Sequence, residues 1–254
     1  MTEPVYSQPG SGVRFDWGLA GATELARFCA VLVVVDVLSF STAVDVAVTR
    51  GIQVFPFPWS EQATEVAERL GAAVAVDRSS VSPERPWSLS PAALMAAPVT
   101  ERLVLPSPNG SAICAAAQGF GVPVVAACLR NPSAVAQWLR HNEYGQRSQP
   151  IGVVAAGERW PDGTIRPSVE DLLGCAHVID ALAPAEGGLS VEAAVTLATL
   201  NGLSDTGSAI RGCVSGQELI ARGFGDDVAI ASQLDASTAV PLLRNDFFAN
   251  AASS

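Results

Sequence analysis

Residues 36–42 place side chains that could bind a metal ion or an anion directly after an apolar run. Asp36 ends that run, and the hydroxyls of Ser41 and Thr42 open the next predicted helix. A buried carboxylate is costly unless a metal ion or hydrogen-bond donors compensate it. A helix cap, in which Asp36 accepts the first N–H groups of the helix, is the structural alternative. The residues alone leave both interpretations open.

A second loop, residues 106–111, reads Pro-Ser-Pro-Asn-Gly-Ser between a predicted strand and an alanine-rich helix. Asn109 and Gly110 permit a left-handed backbone, so that successive N–H groups can point at one anion, and the helix start adds partial positive charge. An ordinary turn with a helix cap fits the same residues. The loop lacks the spacing of a Walker or Rossmann phosphate loop.

A third loop follows a predicted strand that ends near residue 156 and is rich in acids and arginines. Ser168 and Asp171 have the spacing of a capping box, which favours a structural role for Asp171. Glu170 projects about 100° away on the same helical turn and is free to reach a site. A solvated acidic loop is the alternative. The candidates of this loop are Glu158, Arg166, Glu170 and Asp171.

Two further positions are weaker candidates. Arg130 follows another predicted strand and would suit a two-pronged grip on phosphate or carboxylate. Asp226 and Asp227 open a helix, where acids are favoured in any case. Neither of the two histidines has an acidic or cysteine partner at ligand spacing, so a catalytic histidine is not expected.

Composition restricts the chemistry further. The 254 residues include 25 acids and 15 cations, all of them arginine, for a net charge of −10. Without lysine, Schiff-base chemistry and the P-loop lysine are excluded. The acidic balance argues against a nucleic-acid or anionic-membrane partner. Carboxylates suit Mg²⁺, which prefers a few acids, substrate oxygens and water. The residues therefore predict metal-assisted chemistry on a small phosphorylated acid.

Short β-branched runs alternate with amphipathic stretches, which is typical of an α/β layer fold. The predicted strands are residues 30–37, 52–57, 73–76, 103–106, 122–127, 151–156 and 238–242. The predicted helices are residues 41–49, 60–70, 110–118, 132–141, 169–183, 191–200 and 226–234. Ligands of such sheets bind at the carboxyl ends of the strands, so we expect the candidate loops to meet at one edge.

The chain contains no linker or internal repeat, which predicts one domain over residues 1–254 with mobile tails at 1–12 and 246–254. Neither a signal peptide nor a membrane-length apolar run is present, and this favours a soluble, cytoplasmic protein. The five cysteines lack metal or disulfide spacing and are expected to be reduced core residues. A homo-oligomer is compatible with the sequence.

Five segments together resemble the 2-phosphosulfolactate phosphatase family of Mg²⁺-dependent enzymes. They are residues 33–51, 105–117, 128–131, 155–182 and 223–235, in this order. The resemblance implies a three-layer α/β/α sandwich around a mixed, largely parallel sheet. It also implies hydrolysis of (2R)-O-phospho-3-sulfolactate to sulfolactate and phosphate, a reaction of coenzyme M biosynthesis.

The resemblance also implies a role for each candidate residue of these loops. The expected metal ligands are Asp36, Glu158 and Glu170, and the expected catalytic residues are Asp36, Glu170 and Asp171. The expected substrate-binding residues are Ser41, Thr42, Ser107, Asn109, Gly110, Ser111, Arg130 and Arg166. Attack by water is favoured over a covalent Asp36 intermediate, because a metal ion can activate the water.

The chain departs from the family pattern at two positions. Ser39 stands where the family has an arginine, and Glu158 stands where it has a small hydroxyl residue. Losing a cation from a site for several anionic groups favours a related small phosphoester as an alternative substrate. A non-catalytic domain that binds a phosphorylated metabolite is a second alternative. A haloacid-dehalogenase phosphatase is disfavoured, because Leu38 occupies the position of its second acid.

Overall fold

The computed structural model describes residues 3–60 and 62–253, in which the alternating apolar runs and amphipathic segments form eleven strands and eleven α-helices. The strands are β1 Val13–Trp17, β2 Val31–Val35, β3 Gln53–Pro58, β4 Ala73–Val74, β5 Arg102–Ser107, β6 Val124–Ala127, β7 Ile151–Ala155, β8 Glu158–Arg159, β9 Ile165–Arg166, β10 Pro241–Arg244 and β11 Phe247–Asn250. The helices are α1 Gly18–Ala26, α2 Phe40–Thr49, α3 Gln62–Leu70, α4 Pro91–Ala96, α5 Gly110–Gly119, α6 Pro132–His141, α7 Val169–Leu182, α8 Val191–Ala198, α9 Thr206–Gly212, α10 Val214–Ala221 and α11 Gly225–Ala231. Short 3₁₀ turns lie at Val5–Ser7, Arg78–Ser80, Thr199–Gly202 and Ala251–Ser253.

Nine strands pair into one mixed sheet in the order β1-β7-β2-β6-β10-β11-β3-β5-β4, and β8 and β9 form a separate antiparallel pair. The strands β1, β7, β2 and β6 are parallel, and so are β3, β5 and β4. The strands β10 and β11 pair antiparallel with each other. Strand β10 also pairs antiparallel with β6, and β11 pairs antiparallel with β3. The two parallel groups therefore run in opposite directions.

Helices cover both faces of this sheet because its central strands bury side chains on both sides. In β2, Val31, Val33 and Val35 join a core with α6, α7 and α8. The alternate residues Leu32 and Val34 join a second core with α1, α2 and α5. Such a strand reads as an unbroken apolar run. The predicted three-layer α/β/α sandwich is confirmed.

The predicted strands and helices are present with shifts of a few residues at their ends, and the structure adds elements that the sequence did not predict. These additions are β1, α1, α4, β8, β9, α9, α10 and β11. The sequence did not predict strand β1, because Arg14 interrupts its apolar pattern. In the structure Arg14 is buried and donates to the Ser7 carbonyl. None of the helices in the described part of the chain is long and apolar enough to span a membrane.

Residues 247–250 fall within the expected mobile tail, and the structure places them in a strand. They form β11, which pairs with β10 and β3, and Phe248 is fully buried against Phe40. At the other end, residues 5–7 form a 3₁₀ turn, and the Gly12 N–H donates to the carbonyls of Gly187 and Gly188. Met1, Thr2 and Ser254 lie outside the described residues.

Candidate active site

Asp36 lies one residue beyond β2, where the buried strand meets the first turn of α2. Its side chain is buried, and its Oδ1 accepts a hydrogen bond of 3.0 Å from the Phe40 N–H. The Gly110 N–H at the start of α5 lowers the pKa of this carboxylate. Asp36 thus accepts the first N–H of α2, and the capping alternative from the sequence is part of its environment.

The loop after β5 reaches Asp36 although β5 runs opposite to β2. A Cβ on Gly110 would collide with the ring of Phe40, so only glycine lets the start of α5 approach α2 this closely. The candidate loops were expected to meet at one edge of a mixed, largely parallel sheet, and the β5 loop does lie beside the Asp36 loop. The antiparallel pair β10–β11 reverses the direction of β5, so this loop reaches Asp36 through the packing of α5 against α2 and β2.

Glu170 and Glu158 come from the loop after β7. Glu170 is buried on the first turn of α7, and its Oε2 lies 3.2 Å from the Cys213 thiol, which can donate to it. Glu158 is on β8, and its Oε2 accepts from the Asn109 side-chain amide at 3.1 Å. The side-chain oxygen Oδ1 of Asn109 accepts from Arg159 Nε at 3.1 Å. Asn109 therefore links the β5 loop to the acidic loop.

Asp36, Glu158 and Glu170 form an acidic cluster that no described cation neutralises by an ion pair. Burial raises the pKa of Asp36 to about 6, and the nearby charge of Glu170 adds to the rise. Burial also raises the pKa of Glu158 to about 7, with further contributions from Asp36 and Glu170. The three carboxylates thus repel one another in a partly dry environment.

Asp171 has a different environment from these three acids. Its Oδ1 accepts from the Val37 N–H at 2.7 Å, and its Oδ2 accepts from the Gly157 N–H at 2.8 Å and the Ser168 hydroxyl at 2.9 Å. Burial and the charges of Asp36 and Glu170 raise its pKa well above the usual range. Asp171 ties the loops after β2 and β7 to α7.

The hydroxyls expected to bind substrate are mostly engaged within the protein. Ser41 donates to the Val34 carbonyl at 3.0 Å, and Thr42 donates to the Val37 carbonyl at 2.8 Å. Ser111 donates to the Ser107 carbonyl. In contrast, the buried Ser107 hydroxyl has no hydrogen-bond partner among the described residues. These serines and the threonine shape the loops around Asp36, and their substrate contacts stay predictions.

The two predicted arginines lie in different settings. Arg130 is buried and donates to Asp45 at 2.9 Å and to Gln233, so its guanidinium is directed at α2 and not at Asp36. Arg166 donates to the Ser215 hydroxyl at 3.3 Å, and its charge lowers the pKa of Glu158. Arg166 therefore borders the acidic cluster, whereas Arg130 belongs to a separate network.

Sequence reasoning missed Arg78, which reaches the Asp36 loop from the 3₁₀ turn after β4. Its Nη2 donates to the Ser39 hydroxyl at 2.6 Å, and its charge lowers the pKa of Asp36. Its Nε lies 3.1 Å from Asp227 Oδ2, so one of the acids that open α11 pairs with it. The segment around Arg78 has no motif or periodicity, and therefore no local signal marked it.

A cavity of about 260 Å³ adjoins the acidic cluster and is bordered by Asn109 and Glu158. Apolar side chains, among them Trp17, Ile113 and Ile165, form much of the remaining wall. This volume lies just below the roughly 300–1,000 Å³ that is typical of small-molecule pockets. Glu158 is the member of the acidic cluster that lines the cavity, so a small molecule bound there would contact Glu158 and Asn109.

The donor set fits a hard dication held by few protein ligands. Among residues 3–60 and 62–253, no three acids, histidines or cysteines converge on one point as in a closed metal site. Mg²⁺ typically binds one or two carboxylates and completes its shell with water and substrate oxygens. Asp36 and Glu170, both buried and without an ion-pair partner among the described residues, match that demand.

Comparisons with known proteins support one family. No curated protein matches the chain. The family model of 2-phosphosulpholactate phosphatase matches residues 20–246, from α1 to just beyond the end of β10. This span contains Asp36, Asn109, Glu158 and Glu170. The chain therefore belongs to the 2-phosphosulpholactate phosphatase family.

Proposed function

We propose that this protein is a Mg²⁺-dependent phosphatase that hydrolyses the phosphomonoester of a small 2-phosphoacid, (2R)-O-phospho-3-sulfolactate. Membership of the 2-phosphosulpholactate phosphatase family supports a phosphatase, since the family carries that name. The substrate and the metal are the parts of the proposal that go beyond membership.

The acidic cluster is the observation that carries the proposal. Two other buried aspartates, Asp45 and Asp227, pair with an arginine, and Asp171 accepts three hydrogen bonds. Asp36 and Glu170 have neither arrangement. Uncompensated buried charges persist where they bind a ligand that compensates them. A dication supplies the required charge.

Each side chain of the site has a role in this proposal. Asp36 and Glu170 would hold Mg²⁺, and Glu158 would bind it through a water molecule. When bound, the ion neutralises phosphoryl charge and lowers the pKa of an attacking water. The start of α5 and the Ser107 hydroxyl would face the phosphoryl group, where the helix end favours an anion.

Asn109 positions the acidic side of the site. Its amide donates to Glu158 while its carbonyl oxygen accepts from Arg159, so the orientation of the amide is determined by both partners. Arg166, whose charge acts on Glu158, would meet an anionic group of the substrate. The apolar walls from Trp17 and Ile113 would exclude water around the bound ester.

The test is phosphate release from a panel of phosphorylated acids with Mg²⁺ and with EDTA, combined with calorimetric titration of Mg²⁺. We expect release that requires Mg²⁺ and is fastest for phosphosulfolactate. Asp36→Asn and Glu170→Gln should each lower kcat/KM by at least about 100-fold and weaken Mg²⁺ binding, because each removes a ligand charge.

The matched control is Glu218→Gln, which makes the same change on the exposed face of α10 and should behave as wild type. Full activity in EDTA, or Mg²⁺ affinity equal in wild type and Asp36→Asn, would contradict the proposal. Tight binding of the phosphorylated acids without hydrolysis would support a metabolite-binding domain instead.

A further inference from the structure

The guanidinium of Arg78 contacts the Asp36 loop, although Arg78 lies 39 residues from Ser39 in the sequence. Its side chain is only 13% exposed, and its Nη2 lies 2.6 Å from the hydroxyl of Ser39, three residues after Asp36. Ser39 itself is buried. A small residue at position 39 therefore leaves the space next to Asp36 to a guanidinium from another segment.

This guanidinium is held from several sides. Asp227, which is almost fully buried, accepts from Arg78 Nε at 3.1 Å, and the Leu89 carbonyl accepts from Nη2 at 3.3 Å. The Phe224 ring centroid lies 5.7 Å from the guanidinium carbon. Such contacts fix the orientation of an arginine before a ligand arrives, which lowers the entropic cost of binding.

Asp227 is in turn fixed by its second oxygen. Its Oδ1 accepts from the Ser90 hydroxyl and from the Ala92 N–H at 3.0 Å, which joins α11 to the start of α4. Asp227 is therefore a positioning residue for Arg78. No described residue accepts a hydrogen bond from Nη1 of Arg78, so one arm of the fork is available to a ligand.

Two arginines thus approach the acidic cluster at different acids. The charge of Arg78 acts on Asp36, and that of Arg166 acts on Glu158. In the proposed function, the start of α5 and an ion held by Asp36 and Glu170 would neutralise the charge of the phosphoryl group. A prearranged guanidinium beside Asp36 is then suited to a second anionic group on the same substrate.

We propose that Arg78 is a substrate-binding residue that selects phosphoesters carrying a second anionic group, a carboxylate or a sulfonate. The proposal rests on the proposed function and deepens it, because it names the feature that distinguishes this substrate class from simple phosphomonoesters.

Steady-state kinetics of Arg78→Gln with three substrates tests the proposal. Phospholactate carries a carboxylate, phosphosulfolactate carries a carboxylate and a sulfonate, and p-nitrophenyl phosphate carries neither. We expect KM to rise about 10- to 100-fold for the substrate whose second anion Arg78 binds, with kcat nearly unchanged. The KM of p-nitrophenyl phosphate should stay within about twofold. A rise for phosphosulfolactate alone identifies the sulfonate, and a rise for both identifies the carboxylate.

Arg78→Lys restores the charge without the fork and should recover part of the lost affinity. Because Arg78→Gln leaves Asp227 buried and unpaired, the double variant Arg78→Gln/Asp227→Asn is measured beside it. Both introduced carboxamides are neutral, and the one at position 227 keeps an acceptor oxygen for Ser90 and Ala92. A folded double variant, judged by its thermal unfolding midpoint, should show the same selective rise in KM.

Equal rises for all three substrates, or no rise at all, would overturn the proposal, since Arg78 would then serve the phosphoryl group or the fold. If the wild-type protein hydrolyses none of the panel, the proposed function fails. Calorimetric binding of phosphosulfolactate then still decides about Arg78. Affinity weakened by Arg78→Gln supports it, and affinity that is absent or unchanged overturns it.

Discussion

Two buried carboxylates, one before α2 and one within it, have contrasting environments. Asp45 lies inside the helix, where Arg130 donates to one of its oxygens at 2.9 Å and Ser237 donates to the other at 2.7 Å. Asp36 lies before the helix and accepts backbone N–H groups, with Glu170 nearby. Burial raises the pKa of both acids, but only Asp45 is hydrogen-bonded to a cation that opposes the rise.

The difference separates a carboxylate that stabilises the fold from one that is suited to bind a ligand. A buried ion pair with good geometry costs little on balance, whereas breaking it by removing one partner is strongly destabilising. A buried carboxylate next to another acid carries an electrostatic cost that a bound cation would remove. Substitution of each acid by its amide should therefore change stability in different ways.

The largest expected effect is that of Asp45→Asn on stability. The variant leaves the Arg130 guanidinium buried without its counter-charge, so the free energy of unfolding should fall by about 3–5 kcal/mol. Asp36→Asn in EDTA removes a charge that Glu170 repels, and the free energy should stay within about 1 kcal/mol of wild type. Urea denaturation of the two variants measures both values.

The double variant Asp45→Asn/Arg130→Gln is the control for this contrast. Removing both charges should restore part of the stability that Asp45→Asn loses, because no unpaired buried charge remains. Equal losses for Asp36→Asn and Asp45→Asn would show that the two carboxylates do not differ in the way we describe.

The sequence predicted the loops of the site far better than the partners of each side chain. Asp36, Glu158, Glu170 and Asn109 stand out by type and by position after apolar strands, and the structure brings them together. Arg130 looked equally suitable. Its pairing with Asp45 depends on how α2 packs beside β6, which no local pattern encodes.

A smaller effect is expected for Asp171→Asn, which tests a third kind of buried acid. An amide has one acceptor oxygen, so the N–H of either Val37 or Gly157 would face an NH₂ group and lose its partner. The free energy of unfolding should fall by about 1–3 kcal/mol. Asp180→Asn, on the exposed face of the same helix, should change it by less than about 0.5 kcal/mol.

Mg²⁺ titration separates this structural role from ligation. Asp171→Asn should weaken Mg²⁺ binding less than Asp36→Asn does, because its oxygens are already engaged with three donors. Mg²⁺ affinity that drops as much as in Asp36→Asn would instead place Asp171 among the ligands.

Long-range packing also explains what the sequence did not predict elsewhere. Ser39 was interpreted as the loss of a cation beside Asp36, yet the fold brings Arg78 to its hydroxyl. The strand β11 was expected to be part of a mobile tail, but Phe248 packs beside Phe40 in the core. In both cases the deciding contact joins residues far apart in the chain, and periodicity reports only on near neighbours.

The smallest expected effect concerns Ser107, whose buried hydroxyl lacks a partner among the described residues. Ser107→Ala should leave the free energy of unfolding unchanged or raise it by up to about 1 kcal/mol, because an unsatisfied hydroxyl is costly to bury. Ser111→Ala removes a donor to the Ser107 carbonyl and should lower the free energy by about 0.5–1.5 kcal/mol. If the Ser107 hydroxyl faces the phosphoryl group, Ser107→Ala should also raise KM several-fold without loss of stability. A gain in stability with unchanged KM would mean that the Ser107 hydroxyl lacks a hydrogen-bond partner but does not bind substrate. It would then differ from the carboxylate of Asp36, to which we assign a ligand.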